Sequence, residues 1–150
     1  MAERLWVAME DASELLFGEE DLTKQENMCL SNAEVANILE KSRVEQEEQS
    51  EEPTRVFKQT LEYVNRFSGT PDPASKAQTL KALRDALETF HRDREGREPE
   101  RLHYFEIASL ANLVPEDVDE VQALLPSIHQ RFREDEIEDL LQILETNIDS

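Results

Sequence analysis

Few groups in this chain combine residue type and spacing in a way that could do chemistry. His91, His103 and His129 share no i, i+4 or other ligand-like spacing, so they do not make a metal site. Asp117-Val118-Asp119-Glu120 and Glu134-Asp135-Glu136 superficially resemble cation ligands. They lack the glycine and alternating loop positions of a calcium site, and they fall at helix starts, where acids are stabilised by the helix dipole. There is no Gly-rich phosphate loop and no nucleophile elbow. A chain with 35 acidic residues always offers carboxylate pairs for acid–base work, but nothing in the sequence predicts a cavity around one. The single cysteine, Cys29, excludes an internal disulfide and a Cys-based zinc cage and fits a reducing compartment. Its simplest role is that of a small buried hydrophobe. The reading is non-catalytic, with no cofactor and no metal.

The elements that would position such groups are helical. Charged residues make up 34% of the 150 and apolar residues 38%. Against the ~25% charge of ordinary globular domains, that means a modest core under a heavily solvated surface. Three glycines and six prolines supply little turn chemistry for a many-stranded sheet. The expected architecture is a small all-α bundle preceded by an acidic N-terminal arm and a capped helix.

The arm, residues 1–30, has no sustained helical period. Leu15, Leu16 and Phe17 form a short apolar cluster before Gly18 and a run of acids. Such a cluster cannot make a core by itself. It is either an untethered tail or lies against another surface as an added strand or turn.

Residues 31–52 form the first helix and a linker. Ser31-Asn32-Ala33-Glu34 reads as a capping box, followed by an apolar edge of Val35, Ile38 and Leu39. Beyond Glu40 only Val44 remains of that edge, so the tail projects into solvent until Pro53.

Residues 53–150 form the bundle. Phe57, Leu61, Val64 and Phe67, widened by Val56 and Tyr63, share one face of a helix over 54–68. After "SGTPDP", Leu80, Leu83, Leu87 and Phe90 mark the next helix, over 75–91. "HRDREGREPER" is nearly neutral and reads as a solvated loop, with RNA contact as the alternative. Residues 102–113 are apolar almost all round and predict the central helix. Pro115 is placed at the first position of a helix that Pro126 ends, and a last helix starts at Glu134 with Ile137, Leu140, Leu141, Leu144 and Ile148 as its stripe.

Net charge is −19, unevenly spread: −11 over 1–52, +1 over 53–111 and −9 over 112–150. The two acidic segments repel phosphate and suit a basic partner protein, leaving only the middle segment compatible with RNA. No apolar run approaches the ~18 residues of a membrane span. The N-terminus lacks the pattern of a secretion signal, so a soluble intracellular protein without membrane contact is expected.

The segments "YVNRF" (63–67), "FEIASLANLVPEDVDEVQALLPSI" (105–128) and "RFREDEIEDLLQIL" (131–144) resemble the family of the fourth subunit of eukaryotic RNA polymerase II, which is similar to a small stalk protein of the archaeal polymerase. "ELLFG" and "CLSNAEVANILE" resemble that family's N-terminal segment and first capped helix, so the likeness covers about residues 13–148. The run ending in "LLPSI" is its specific part. The resemblance implies a helical domain of the type shared with RecQ helicases and ribonuclease D. It also implies an obligate heterodimer with the seventh polymerase subunit, whose two β-rich domains the arm and first helix embrace. That partner anchors the stalk to core RNA polymerase II and supplies the main surface for nascent RNA. Roles in initiation, in handling the transcript and in mRNA fate outside the nucleus follow from the same likeness. Localisation is nuclear, with the cytoplasm as a second compartment.

On this reading function lies in the arm and first helix. The partner-facing residues are Leu15, Leu16 and Phe17, then Leu30, Val35, Ile38 and Leu39. The alternative for Val35, Ile38 and Leu39 is packing on the chain's own bundle. The sequence also departs from the family. Residues 91–101 are an apparent insertion, "ILETNIDS" lacks the aromatic tail many members carry, and Val114 replaces a frequent Cys. Competing readings are the stalk subunit of another nuclear polymerase, a helicase-type nucleic-acid-binding domain, which the −19 charge disfavours, and an acidic helical adaptor in transcription.

Overall fold

The computed structural model describes residues 11–16 and 29–148. Among the described residues, seven α-helices follow one another with one β-hairpin between the third and fourth, giving a mostly helical bundle.

Ser31 starts α1 (Asn32–Glu48) as its spacing predicts. Its Oγ accepts from the Glu34 amide at 3.2 Å, and Glu34 Oε1 accepts from the Ser31 amide at 2.9 Å. Only Ala33 and Ala36 of this helix are buried. Thr54 caps α2 (Arg55–Arg66) by accepting from the Phe57 amide. Of the apolar face expected to be core, Val64 alone is buried, while Val56 is 71% exposed. α2 packs chiefly against α1, itself a peripheral helix, so its stripe reaches the core only at one point.

Gly69 turns the chain with φ of 74° and sits so close to the backbone of residues 111 and 112 that a Cβ would lie 2.9 Å from the Asn112 carbonyl oxygen. A 3-10 turn at Pro73–Lys76 then leads into α3 (Ala77–Thr89).

Residues 91–101 are not a loop. β1 (His91–Arg94) and β2 (Arg97–Arg101) form an antiparallel hairpin, with Arg92 opposite Glu100 and a register irregularity before Arg94. Gly96 makes the turn at φ of 75°. No apolar alternation announces these strands, because ion pairs rather than a buried face fix them. Arg92 reaches Asp139 at 3.0 Å, Arg94 grips Glu136 with both terminal nitrogens at 2.9 and 2.7 Å, and Glu100 takes Arg131 Nε at 2.6 Å. Two of the four arginines are thereby committed to carboxylates elsewhere in the fold, which weakens the RNA-contact alternative.

α4 (Tyr104–Leu113) is capped by His103, whose Nδ1 accepts from the Phe105 amide. Its most enclosed side chains are Leu110, Ile107 and the carboxylate Glu106, while Leu113 is 51% exposed. Glu106 is fully buried yet satisfied: Ser127 Oγ donates at 2.6 Å, Arg131 at 2.7 and 3.0 Å, and the His103 amide at 2.8 Å. A buried carboxylate without such partners would cost several kcal/mol.

The next helix starts later than Pro115. Asp117 is its cap, accepting from the Glu120 amide at 2.8 Å, and α5 runs Val118–Leu124. Pro126 both ends that helix and opens α6 (Pro126–Arg131), since a first helical position needs no N–H. α7 is Glu134–Ile148. The core unites Leu83, Leu87 and Phe90 of the α3 segment with Ile107 and Leu110, Val121, Leu125, Ile128 and Phe132, and Ile137, Leu140 and Leu144 of α7.

Candidate partner interface

The N-terminal half of α1 is tied to the bundle by polar contacts rather than by apolar burial. Arg84, on α3, donates from Nε to Glu34 Oε2 at 2.9 Å and from Nη2 to Glu34 Oε1 and the Cys29 carbonyl. Asn32 donates its amide to Asn112 Oδ1 at 2.8 Å and its Nδ2 to the Phe67 carbonyl at 2.9 Å. Asn37 donates to the Pro73 carbonyl. Burial by itself would raise the Glu34 carboxyl, but the Arg84 and Ser31 hydrogen bonds overcome it and hold Glu34 below its ordinary value.

These contacts fix which side of α1 faces the body. Ala33 and Ala36 lie against it, their small side chains allowing close approach. At about 100° per residue, Ile38 falls on the opposite side, Val35 about 130° from the midpoint of the two alanines and Leu39 about 90° from it, on the flank. Ile38 is 54% exposed, and Val35 and Leu39 are half-buried. Leu30, just before the helix, is also exposed.

The arm residues occupy a different place. Residues Ala12–Glu14 form a 3-10 turn, with Asp11 and Leu16 exchanging backbone hydrogen bonds of 2.8 and 2.9 Å. The Asp11 carboxylate accepts from the Ser13 amide and hydroxyl. This turn lies against α6, and Leu15 lines a cleft with Leu102, Tyr104 and Ile107. Of the two fates open to the cluster, these residues take the turn against another surface, and that surface is the chain's own bundle. Leu16 is 48% exposed, and Phe17 lies outside the described residues. The structure therefore groups Val35, Ile38 and Leu39 on one helix and sets Leu15 and Leu16 apart, beside α6.

Sequence reasoning missed an exposed apolar surface on α2. Tyr63 and Phe67 are 57% and 49% exposed, with ring centroids 4.9 Å apart, and Val56 lies on the same helix. The stripe was visible in the sequence, but a period of 3.6 does not distinguish a face turned to the core from one left open.

Among the described residues, no three His, Cys, Asp or Glu side chains are placed to hold a metal ion, and no helix is long and apolar enough to cross a membrane.

A family model described as RNA polymerase Rpb4 matches residues 29–147. DNA-directed RNA polymerase II subunit 4 of Arabidopsis thaliana is 35% identical over 128 residues, covering 83% of this chain and 80% of its own length. DNA-directed RNA polymerase II subunit rpb4 of Dictyostelium discoideum is 32% identical over 150 residues, covering 84% and 87%. The corresponding subunit RPB4 of Saccharomyces cerevisiae is 27% identical over 88 residues, or 59% of this chain and 34% of its own. With the family match spanning most of the helical bundle and the capped first helix, this chain belongs to the RNA polymerase Rpb4 family.

Proposed function

We propose that this chain is a non-catalytic stalk subunit of DNA-directed RNA polymerase II, acting as a heterodimer with the seventh subunit. Family membership makes it a polymerase subunit and a nuclear protein. The finer reading rests on one observation: α1 turns Ala33 and Ala36 to its own bundle and leaves Ile38 open to solvent, between half-buried Val35 and Leu39. A helix held by two alanines and a few polar contacts gains little from its own domain, and an apolar partner surface would complete its burial. Leu30, just before the helix, extends that surface, as do Val56, Tyr63 and Phe67 at α2, which packs beside α1, while Leu15 and Leu16 offer a separate patch beside α6. The net charge of −19 disfavours contact with nascent RNA by this chain and so supports leaving the RNA to the partner. In this role the subunit supports initiation and the handling of the emerging transcript.

Co-expression with the seventh subunit of the same polymerase, followed by size-exclusion chromatography and hydrogen exchange, tests the proposal. A 1:1 complex in which residues 13–40 gain protection is expected. A monomer that ignores that subunit, with those residues equally exchangeable in both samples, overturns it and leaves the adaptor reading.

A further inference from the structure

One face of α7 meets the core only at its edge. Ile137, Leu140 and Leu144 are buried in the bundle, whereas Glu138, Leu141, Gln142, Glu145 and Ile148 share the adjoining side. Opposite that side stand the connection from α4 to α5, residues 114–117, and the first residue of α5, Val118. The two walls enclose an open groove of about 620 Å³. That volume is within the ~300–1,000 Å³ range of ordinary binding sites. Val114 turns the near wall at φ of 45°, a conformation that is costly for a β-branched side chain.

The lining is of two kinds. Val114, Pro115, Val118, Leu141 and Ile148 make an apolar floor, and Val118, Leu141 and Ile148 also pack on the core, so that floor is held in place. Glu116, Asp117, Glu138 and Glu145 form the rim, all exposed, and among the described residues no cationic side chain lines the groove. Residues 112–150 contain only Arg131 and Arg133, and each already pairs with carboxylates. Four like charges around an apolar strip repel one another and attract cations. RNA is repelled by the same rim, and a second copy of a chain with net charge −19 is disfavoured by its own field.

We propose that this groove docks a basic amphipathic helix from a partner protein. From Glu138 to Ile148 the α7 wall runs about 15 Å, the length of a ten-residue helix. Such a helix lays one apolar stripe on Leu141, Val118 and Ile148 and sets lysines or arginines on either side against the rim. The site uses none of the arm and α1 positions assigned above to the heterodimer.

The test uses the full chain and a fluorescein-labelled synthetic helix of about twelve residues, with leucines on one face and lysines flanking them. A control peptide carries glutamate in place of lysine. Anisotropy should show binding of the lysine peptide alone, and amide shifts in NMR should cluster at residues 114–118 and 138–148. The double variant Glu138→Lys/Glu145→Lys, altered only at exposed positions, should bind about tenfold more weakly. Its thermal unfolding should stay close to that of the native chain. Absent binding, equal binding of both peptides, shifts elsewhere, or an unchanged affinity in the double variant overturns the proposal. So does displacement of the peptide by a uridine oligonucleotide, or self-association that protects Leu141.

Discussion

Arg84 and Glu34, fifty positions apart, meet in a two-pronged ion pair that fastens the first helix to the bundle. Glu34 serves twice, since the same carboxylate closes the capping box on Ser31. Arg84 also holds the Cys29 carbonyl, so one side chain orders both the helix start and the chain entering it.

Replacing Arg84 should therefore loosen α1 as a unit. Arg84→Met leaves Glu34 without its counter-charge and is expected to destabilise the fold by about 2–4 kcal/mol. In a Glu34→Gln background the same substitution should cost less, because the stranded charge is gone. Urea unfolding of the four proteins measures both numbers. Equal costs in the two backgrounds would show that the pair is not coupled.

Acid should weaken the fold through Glu136. The Arg94 hydrogen bonds draw its carboxyl down from an ordinary 4.5 to about 2, against the opposing effect of burial. A group with a depressed folded pKa contributes stability that is present above the unfolded value and lost as pH falls through the folded one. The contribution is thus complete above about 4.5 and disappears towards 2. Protonation of exposed carboxylates acts the other way by relieving the −19 charge, so the informative quantity is a difference. Between those limits the native chain should lose stability faster than Glu136→Gln, as read from urea midpoints at each pH.

Ile38 separates binding from folding. Because it is exposed, Ile38→Asp should change stability by no more than about 0.5 kcal/mol. Loss of an apolar contact at the centre of an interface should weaken the heterodimer by at least about tenfold. Leu124→Asp, equally exposed but on α5, should leave affinity unaltered. Calorimetric titration with the seventh subunit distinguishes the two; equal affinity for native chain and Ile38→Asp places the interface elsewhere.

Gly69 and Gly96, both at positive φ, should differ in their tolerance of alanine. Gly96→Ala meets open space and suffers only the left-handed backbone penalty, about 1 kcal/mol. Gly69→Ala suffers that penalty and also forces a Cβ within 3.0 Å of the Ala111 carbonyl oxygen and 2.9 Å of that of Asn112. Its cost should exceed that of Gly96→Ala by at least about 1 kcal/mol. Thermal unfolding of both variants makes the comparison, and equal shifts would refute the close approach of residue 69 to α4.

Local chemistry made much of the helical frame legible in the sequence. Ser31 and Glu34 cap one another within three residues, and Leu83, Leu87, Ile137, Leu140 and Leu144 repeat at the helical period and are all buried. Caps and periodicity involve neighbours in the chain, so the chain order alone specifies them. Tertiary structure decided what depends on distant partners. The hairpin at 91–101 was unreadable because its strands are positioned by Asp139, Glu136 and Arg131 rather than by an apolar alternation. Glu106 is an acid within an apolar helix, and it is buried only because Ser127 and Arg131, 21 and 25 positions away, enclose it. The same holds for α1, where Ala33 and Ala36 rather than the larger Ile38 meet the body. That choice is made by Arg84, Asn112 and Phe67, which lie far along the chain and act on it only once folding has brought them together.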